Sequence, residues 1–359
     1  MSVHKIEAAV LRRKRQLLTI ETLEMEGPRD DEVLVRLVAS GVCHTDIDFL
    51  ASSNDPPLVL GHEGAGVVEE VGKSVTGVKA GDHVVLSYQS CGHCPECLEG
   101  HPNRCESFWE ANFGFARLDG SNALEMSGVR GHFFGQSSFA THTLATIRNL
   151  VQVPPHLPLE LLAPLGCGLQ TGAGTVLNSL QVKPGKSLAV FGTGAVGLSA
   201  VMAAHHVGAD PIIGVDIVPS RLELALELGA THVIDSRNED VASGITAITG
   251  SGVDYILEIT GVPRLYQIAA QALNPQGIVA LIAIPSGGAS WSQGRSSIGI
   301  TQGDSVPQSF VPKMIALYEA GQFPFDRLIK FYDFREINQA IADAKRGDTI
   351  KPVLRISPA

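Results

Sequence analysis

The chain has 359 residues, a formal net charge of −10 and 38 glycines, a length at which two domains can each bury their own core. An acidic surface repels phosphate backbones, so the composition argues against a nucleic-acid partner. The first residues lack an apolar signal segment and the longest apolar stretch is broken by three glycines, so we expect a cytoplasmic protein that does not span a membrane.

The N-terminal part of the chain reads as short strands separated by turn residues, which is typical of a loop-rich β domain. Residues 32–38, 66–71 and 83–87 are examples, with Gly-Pro, Gly-Lys and Gly-Asp pairs between the strands. The basic run 12–15 lies between two apolar strand-like runs. We interpret it as a solvated hairpin turn rather than as a nucleic-acid patch.

Four of the six cysteines, Cys91, Cys94, Cys97 and Cys105, lie in one loop that also contains glycine and proline. Cytosolic thiols stay reduced, which disfavours disulfide bonds. Four thiolates from one loop can surround Zn²⁺ as a closed tetrahedron, which is the arrangement of a structural zinc site. An iron–sulfur cluster uses the same four ligands, whereas a zinc ribbon for nucleic acid would need basic flanks that this loop lacks. The spacing therefore favours structural zinc.

The remaining cysteines, Cys43 and Cys167, form a three-ligand set with His62 if the fold brings them together. Two thiolates and one imidazole leave the fourth position of a zinc ion open, as catalysis requires. A lone cysteine is more often a small buried hydrophobe, and that alternative stays open for each residue. Asp46 and Glu63 are near in sequence and are candidates to orient the ligands through hydrogen bonds.

From residue 186 to about residue 300, buried β-like runs alternate with helical stretches. Such alternation predicts a parallel sheet covered by helices on both faces. Two further helices are predicted beyond it, at 312–320 and 334–345. We therefore place a nucleotide-binding domain at 165–300, inserted between residues 1–164 and 301–359 of a catalytic domain.

Gly192, Gly194 and Gly197 form the pattern G-x-G-x-x-G between a predicted strand and a predicted helix. The first glycine permits a tight turn, the second lets the backbone approach a pyrophosphate, and the third lets helix and strand pack closely. Asp216 ends the next predicted strand, 19 residues after Gly197. A carboxylate there accepts hydrogen bonds from the ribose of NAD and repels the extra phosphate of NADP. The motif therefore predicts NAD binding.

Several of these motifs together resemble the zinc-containing medium-chain alcohol dehydrogenases over essentially the whole chain: GVCHTD, GHEGAGVVEEVG, the four-cysteine loop and FGTGAVG. The segment GCGLQTGAG and the C-terminal tail are most similar to the aryl-alcohol (benzyl-alcohol) branch. The resemblance implies an α/β fold, with a doubly wound parallel Rossmann sheet inserted in a mainly β, GroES-like catalytic domain. It also implies two Zn²⁺ per chain, NAD as cofactor, and a homodimer or homotetramer.

The resemblance also assigns roles to single residues. Cys43, His62 and Cys167 match the catalytic zinc ligands, Thr45 the hydroxyl that takes the alcohol proton, and Asp46 the carboxylate behind His62. Six residues match contacts to NAD: His44 and Lys351 at the pyrophosphate, Thr171 and Val196 at the nicotinamide, Asp216 and Arg221 at the adenosine ribose.

One position departs from the family pattern. Many members have a histidine five residues after the first zinc cysteine, and this histidine ends a proton relay; the present chain has Asp48 there. A carboxylate needs partial burial to act as a base near neutral pH. Asp48 is therefore either the last group of the relay or a solvated loop residue.

The predicted reaction is reversible oxidation of a primary alcohol to an aldehyde with hydride transfer to NAD⁺, and an aryl or allylic alcohol is the favoured substrate. The alternatives are a polyol, threonine or short-chain alcohol dehydrogenase of the same fold, and a non-catalytic NAD-binding zinc protein. A zinc-free reductase would lack the four-cysteine loop and Cys43. Asn54, Trp109 and Ile284 are candidates for the substrate pocket, although the sequence alone does not place them.

Overall fold

The computed structural model of the chain describes residues 2–52, 57–283 and 292–358. The strands within these residues are β1 (Val3–Leu11), β2 (Thr19–Glu26), β3 (Glu32–Gly41), β4 (Leu58–Val59), β5 (Gly64–Val71), β6 (His83–Leu86), β7 (His142–Thr146), β8 (Leu150–Gln152), β9 (Leu188–Phe191), β10 (Ile212–Asp216), β11 (His232–Asp235), β12 (Val253–Glu258), β13 (Leu273–Leu281), β14 (Ser296–Gly299), β15 (Ile329–Asp333) and β16 (Lys351–Arg355). The α-helices are α1 (His44–Ser52), α2 (Pro95–Leu98), α3 (Phe108–Phe113), α4 (Leu159–Leu162), α5 (Gly168–Gly174), α6 (Ala195–His206), α7 (Pro219–Glu227), α8 (Val241–Thr249), α9 (Pro263–Ala272), α10 (Pro307–Glu319) and α11 (Ile337–Arg346).

The chain divides into two compact units. Unit 1 comprises Met1–Cys167, Val306–Pro312 and Asp326–Ala359, and unit 2 comprises Gly168–Ser305 and Lys313–Phe325. The predicted nucleotide-binding domain, 165–300, begins and ends a few residues before the first segment of unit 2, and it leaves out the second segment. Helical periodicity shows where a helix forms but not which unit it packs on, so the sequence could not assign residues 313–325.

Unit 1 is mainly β. A three-stranded sheet has the order β2-β1-β4, and a second sheet has the order β15-β16-β3-β5-β6-β8, with β7 also paired to β3. Strand β3 is buried along almost its whole length. Val33, Val35 and Leu37 pack in one apolar cluster and Leu34 in another, because successive side chains of a strand point to opposite faces. Strand β3 therefore has a core on each side.

The predicted hairpin at the basic run is confirmed. Strands β1 and β2 pair antiparallel from Val3↔Glu26 to Val10↔Thr19, and the exposed residues 12–15 lie in the turn between them. The helix predicted to start at Pro312 starts earlier, at Pro307, and Pro312 lies inside it. Proline is common in the first turn of a helix, and here Pro307 has that place, so the choice of Pro312 as the start was wrong.

Unit 2 contains a six-stranded parallel sheet with the order β11-β10-β9-β12-β13-β14. Strands β9 and β10 are buried at every residue, as expected when helices cover both faces of a parallel sheet. The strand order reverses between β9 and β12, and this is the doubly wound arrangement that binds dinucleotides at the carboxyl ends of its central strands. The glycine motif directly follows β9 and therefore lies at that position.

Among the described helices, none combines the length and the apolar character that crossing a membrane requires.

Candidate active site

The four-cysteine loop gathers its thiols within a short stretch of chain. The sulfur atoms of Cys91, Cys94, Cys97 and Cys105 all lie within 4.8 Å of one another. The backbone N–H of Cys91 donates to Sγ of Cys105 at 3.2 Å, and the N–H of Cys94 donates to Sγ of Cys91 at 3.4 Å. All six cysteines of the chain are free thiols. The loop therefore offers four sulfur ligands in the arrangement that a structural zinc ion takes.

The thiols of this loop differ in acidity. Hydrogen bonding, first from the backbone of Glu106, lowers the pKa of Cys94 to about 6. Burial raises the pKa of Cys105 to about 12. Metal binding requires thiolates, so a cation has to supply the free energy that deprotonates Cys105. The donor set fits Zn²⁺, which satisfies several neighbouring thiolates at once.

A second set of ligands comes from three distant segments of unit 1. Cys43 directly precedes α1, His62 lies shortly before β5, and Cys167 directly precedes α5. Together with a Glu63 oxygen, their ligand atoms lie within 4.8 Å of one another and are buried. The structure thus brings together the three residues that the sequence singled out.

Asp46 orients His62. Its Oδ1 lies 3.0 Å from Nδ1 of His62 and accepts the N–H of Gly61 at 3.0 Å, while Oδ2 accepts the N–H of Cys43 at 3.0 Å. A carboxylate neighbour assigns the proton to Nδ1 and leaves Nε2 with a free lone pair. Nε2 of His62 is buried and has no hydrogen-bond partner among the described residues. A buried nitrogen in this state fits a metal ligand.

The charges within this cluster favour a bound cation. The hydrogen bond with Cys167 holds the pKa of Cys43 well below the ordinary value of a thiol. The same bond, together with burial, raises the pKa of Cys167 well above that ordinary value. Burial by itself lowers the pKa of His62, but the charges of Asp46 and Cys43 raise it well above the usual value. A divalent metal ion would replace these protons, because its ligands must be deprotonated.

A buried ion pair lies beside the cluster. Nζ of Lys351 is 2.9 Å from both carboxylate oxygens of Glu63 and also donates to the carbonyl of Val42 at 3.3 Å. Burial raises the pKa of Glu63. Burial alone would lower the pKa of Lys351, but the negative charge of Glu63 outweighs this effect, so the pKa of Lys351 is raised. Lys351 is only 2 % exposed. Its contact with the cofactor pyrophosphate, which the resemblance implies, stays a prediction.

The residues after Cys43 have different surroundings. Oγ1 of Thr45 lies 3.9 Å from Sγ of Cys43, next to the ligand set. Nε2 of His44 lies 3.4 Å from Oδ1 of Asp48, and these side chains are 83 % and 65 % exposed. The burial that a basic carboxylate requires is therefore missing at Asp48, and its place in a proton relay stays a prediction.

An aromatic wall that the sequence did not predict packs against His62. We use this name for Phe49, Phe113, Phe133 and Phe134. The ring of Phe134 stacks on His62 with centroids 4.4 Å apart, and Phe133 meets it edge-on at 5.5 Å. Phe113 contacts Phe134 at 5.0 Å and stacks on Phe49 at 5.4 Å. The density of aromatic residues in 108–115 and the pair at 133–134 was the available signal.

The candidates for the substrate pocket are only partly placed. Trp109 packs on Phe113 with ring centroids 4.9 Å apart and is 68 % exposed, so it lies at the outer end of the aromatic wall. Asn54 and Ile284 lie outside the described residues.

The glycine motif has the geometry of a pyrophosphate cradle. Gly192 has φ +96°, and a Cβ atom at Gly197 would lie 1.9 Å from the carbonyl oxygen of Gly192. A Cβ at Gly194 would instead meet no atom within 4 Å, so the open space that a phosphate needs lies in front of this residue. Gly194 is the N-cap of α6, whose free N–H groups and dipole favour anions. The motif fits a dinucleotide.

Asp216 ends β10 as predicted and is held by four hydrogen bonds. Oδ2 accepts the N–H of Thr193 at 2.7 Å and its hydroxyl at 3.0 Å, and Oδ1 accepts the N–H groups of Ile217 and Val218 at 2.7 and 3.0 Å. The carboxylate is thus rigidly placed at the carboxyl end of its strand. Nε of Arg221 is buried without a hydrogen-bond partner among the described residues.

The other two residues assigned to NAD lie on helices of unit 2. Val196 is in the first turn of α6, and Thr171 is buried in α5. Their contacts with the nicotinamide stay predictions.

Comparison with known proteins agrees with this geometry. Residues 29–155 match the alcohol dehydrogenase GroES-like domain, and residues 195–319 match the zinc-binding dehydrogenase domain. Geraniol dehydrogenase of Castellaniella defragrans is 46 % identical over 97 % of both chains. The chain belongs to the zinc-containing medium-chain alcohol dehydrogenases.

Solved structures of this alcohol dehydrogenase family superpose closely on the chain. A zinc-binding-domain alcohol dehydrogenase from Burkholderia ambifaria has a TM-score of 0.96 and 50 % identity, and covers 99 % of this chain and 100 % of its own. Benzyl alcohol dehydrogenase from Acinetobacter calcoaceticus has a TM-score of 0.95 and 45 % identity with the same coverage. Membership in the family supports Zn²⁺ and NAD as the cofactors and small-molecule alcohols as the substrates.

Proposed function

We propose that this alcohol dehydrogenase oxidises primary aryl or allylic alcohols to aldehydes, reversibly and with NAD⁺. Cys43, His62 and Cys167 would hold a catalytic Zn²⁺, and the four-cysteine loop would hold a structural Zn²⁺. The observation that carries the substrate class is the aromatic wall, because the ring of Phe134 stacks directly on a ligand of the proposed catalytic metal and the rings of Phe113 and Phe133 pack against Phe134. Flat apolar substrates gain most from such a surface.

The named relatives support the same substrate class. One is a geraniol dehydrogenase and another is a benzyl alcohol dehydrogenase. Geraniol is an allylic alcohol and benzyl alcohol is an aryl alcohol, so in both the carbinol carbon is attached to a π system. Aromatic side chains bind such groups through offset or edge-to-face contacts.

The chemistry divides between the cofactors and the chain. Zn²⁺, when bound, acidifies a hydroxyl that it coordinates, and NAD⁺ supplies the acceptor of the hydride. Asp46 holds His62 in the tautomer that presents Nε2. The Thr45 hydroxyl, 3.9 Å from Sγ of Cys43, is the proposed acceptor of the alcohol proton, and it releases its own hydroxyl proton toward solvent in the same step. Phe133 and Phe134 exclude water from the face of His62, which strengthens electrostatic interactions there. Hydride transfer then needs only a short, aligned approach of carbinol carbon and nicotinamide.

A panel of alcohols at fixed NAD⁺ tests the substrate class. Burying a phenyl-sized side chain is worth about 1.5–3 kcal/mol, so kcat/KM for benzyl alcohol and geraniol should exceed that for ethanol roughly 10- to 100-fold. Highest kcat/KM for ethanol or a polyol would overturn the aryl assignment. Binding of NAD⁺ without turnover of any alcohol would support the alternative of a non-catalytic zinc protein.

A pair of variants tests whether the aromatic wall selects the substrate. Phe134→Leu should lower the ratio of benzyl-alcohol to ethanol kcat/KM, because it removes the ring nearest His62. Phe325→Leu is the control: Phe325 is as deeply buried but packs on Tyr318 and Phe323. Equal ratios in both variants would contradict the proposed role of the aromatic wall.

The homodimer or homotetramer stays a prediction that analytical ultracentrifugation can check.

A further inference from the structure

We infer that Gln136 is a positioning residue that fixes the backbone of two ligand segments of the catalytic zinc. The inference rests on the proposed function, because it takes Cys43, His62 and Cys167 as the ligands. Gln136 touches neither these side chains nor a reacting atom in any described contact; it acts through the chain segments that carry His62 and Cys167.

All three hydrogen bonds of the Gln136 amide reach backbone atoms near the ligands. Nε2 donates to the carbonyls of His62 and Ser87, both at 3.0 Å, and Oε1 accepts the N–H of Gly64 at 3.1 Å. The residue is only 2 % exposed. One amide thus holds the chain on both sides of Glu63, between the predicted zinc ligand and the start of β5.

The connection continues to the third ligand. The hydroxyl of Ser87 donates to the carbonyl of Gly166 at 2.6 Å, and Gly166 directly precedes Cys167. Gln136 and Ser87 therefore join the His62 segment to the Cys167 segment through buried hydrogen bonds. Since the two segments are more than a hundred residues apart in sequence, local backbone preferences cannot set their separation.

Several residues around Gln136 have strained backbone conformations, and the hydrogen bonds of Gln136 help to keep the chain in them. His132 has φ +64°, Phe134 φ +54° and Ser137 φ +55°, a region that non-glycine residues seldom adopt. Such conformations persist only where the surroundings impose them, and they concentrate at functional sites. Phe134 stacks on the ring of His62, and the Gln136 amide donates to the backbone carbonyl of His62. The strained segment therefore contacts both the side chain and the backbone of this ligand.

Only an amide provides this set of bonds, because it combines two donors with an acceptor. Gln136→Met keeps the length and apolar stem of the side chain but loses all three bonds. Gln136→Glu keeps an acceptor for Gly64 and loses the donors to His62 and Ser87. If Gln136→Met does not fold, zinc release is measured on Gln136→Glu instead, which lacks the two bonds to His62 and Ser87 but keeps the one from Gly64.

The test is the release of zinc from the purified holoenzyme to excess EDTA, followed with a zinc-sensitive dye. Loss of partners behind a metal ligand typically costs 10- to 100-fold in metal affinity or activity. Gln136→Met should therefore release one of two zinc ions about 10- to 100-fold faster, with the four-cysteine zinc as an internal control at an unchanged rate. For benzyl alcohol, kcat should fall while KM for NAD⁺ stays constant.

Asn112→Leu is the matched control. Asn112 is also buried and also makes three hydrogen bonds to backbone, one from the N–H of Gln89 and two to the carbonyls of Gln89 and Phe108. These bonds flank the four-cysteine loop, and none reaches the segments of Cys43, His62 or Cys167. The inference is overturned if Asn112→Leu speeds release of the catalytic zinc as much as Gln136→Met does, or if both zinc ions leave Gln136→Met faster. If Cys43→Ser contains as much zinc as the unaltered enzyme, the proposed function fails, and the inference fails with it.

Discussion

The two candidate metal sites of unit 1 differ in where their ligands lie in the sequence and in how deeply the ligands are buried. The four-cysteine loop takes all its ligands from residues 91–105, and its Cys91 and Cys97 are only partly buried. The cluster of Cys43, His62 and Cys167 spans more than 120 residues and is enclosed by a carboxylate, an ion pair and an aromatic wall. A site that only needs to hold a metal can be local, whereas a site that must tune it requires neighbours from several segments.

The most severe effect should come from Cys43→Ser. Removing a ligand of the proposed catalytic zinc should reduce turnover by at least about 10³-fold, because metal ions contribute several kcal/mol to transition-state stabilisation. Metal analysis should find one zinc per chain, with a modest change in thermal stability. Retention of two zinc ions with full activity would contradict the assignment of this cluster.

Cys97→Ser should have the opposite profile. A structural zinc site contributes directly to folding, so this variant should lose one zinc and several kcal/mol of stability. The fraction that stays folded should keep most of its kcat. Denaturation with and without added Zn²⁺ measures the first effect, and active-site titration measures the second. If Cys97→Ser lowered kcat as much as Cys43→Ser, the two sites would not be separable.

The buried ion pair distinguishes the two sites further. Lys351→Met leaves the Glu63 carboxylate in a buried position without its ammonium partner, which should cost about 3–5 kcal/mol. Adding Glu63→Gln should recover part of this loss, because neither charge is then left alone. A double-mutant cycle by chemical denaturation checks the coupling. Strictly additive losses would mean that the pair does not stabilise the cluster as a unit.

Acid should destabilise the fold through His132. Burial, together with the charges of Arg117 and Arg29, lowers its pKa to about 3, whereas an unfolded histidine titrates near 6.5. The unfolded chain therefore binds more protons between pH 6.5 and 3, and the free energy of unfolding falls as pH drops through this window, by about 2 kcal/mol at pH 5.

His132→Asn should flatten that pH dependence. Asparagine tolerates the left-handed backbone at this position, and it does not titrate. Unfolding followed from pH 7 to pH 5, with zinc content monitored in parallel, separates loss of fold from loss of metal. An unchanged slope in the variant would show that another group dominates.

The smallest effect is expected at Asp48. Because its carboxylate is largely exposed beside His44, water can take its place in carrying a proton. Asp48→Asn should change kcat for alcohol oxidation by less than about twofold. A deuterated alcohol establishes that chemistry is rate-limiting in the measurement. A large fall in kcat with a displaced acidic limb of the pH profile would instead support Asp48 as the last group of the relay.

The parts that the sequence predicted have local causes. The spacing of Cys91 to Cys105 and of Gly192 to Gly197 encodes a loop and a turn whose geometry depends on neighbouring residues. The alternation of strands and helices in unit 2 likewise follows from short-range periodicity. The fold class and the four-cysteine group were therefore accessible without a structure, whereas the sequence offered Cys43, His62 and Cys167 only as candidates by residue type and family resemblance, since no local spacing links them.

The parts that the sequence did not predict depend on long-range packing. Nothing in the sequence pairs Lys351 with Glu63, which lie 288 residues apart. Nothing in the sequence distinguishes Gln136 from other polar residues, or shows that Phe134, whose backbone is left-handed, stacks its ring on His62. Propensity cannot reveal such contacts, because tertiary packing decides them.

The discontinuity of unit 1 has a consequence for synthesis on the ribosome. Strand β16 pairs with β3 at Val353↔Gly41, and Lys351 pairs with Glu63, so the unit that begins the chain cannot be completed until the last residues emerge. The four-cysteine loop and the whole sheet of unit 2 are made earlier and need no C-terminal partner. Domains generally fold as they are translated, and contacts between distant residues form last. Cys43 is thus among the first thiols to be made and among the last to be enclosed.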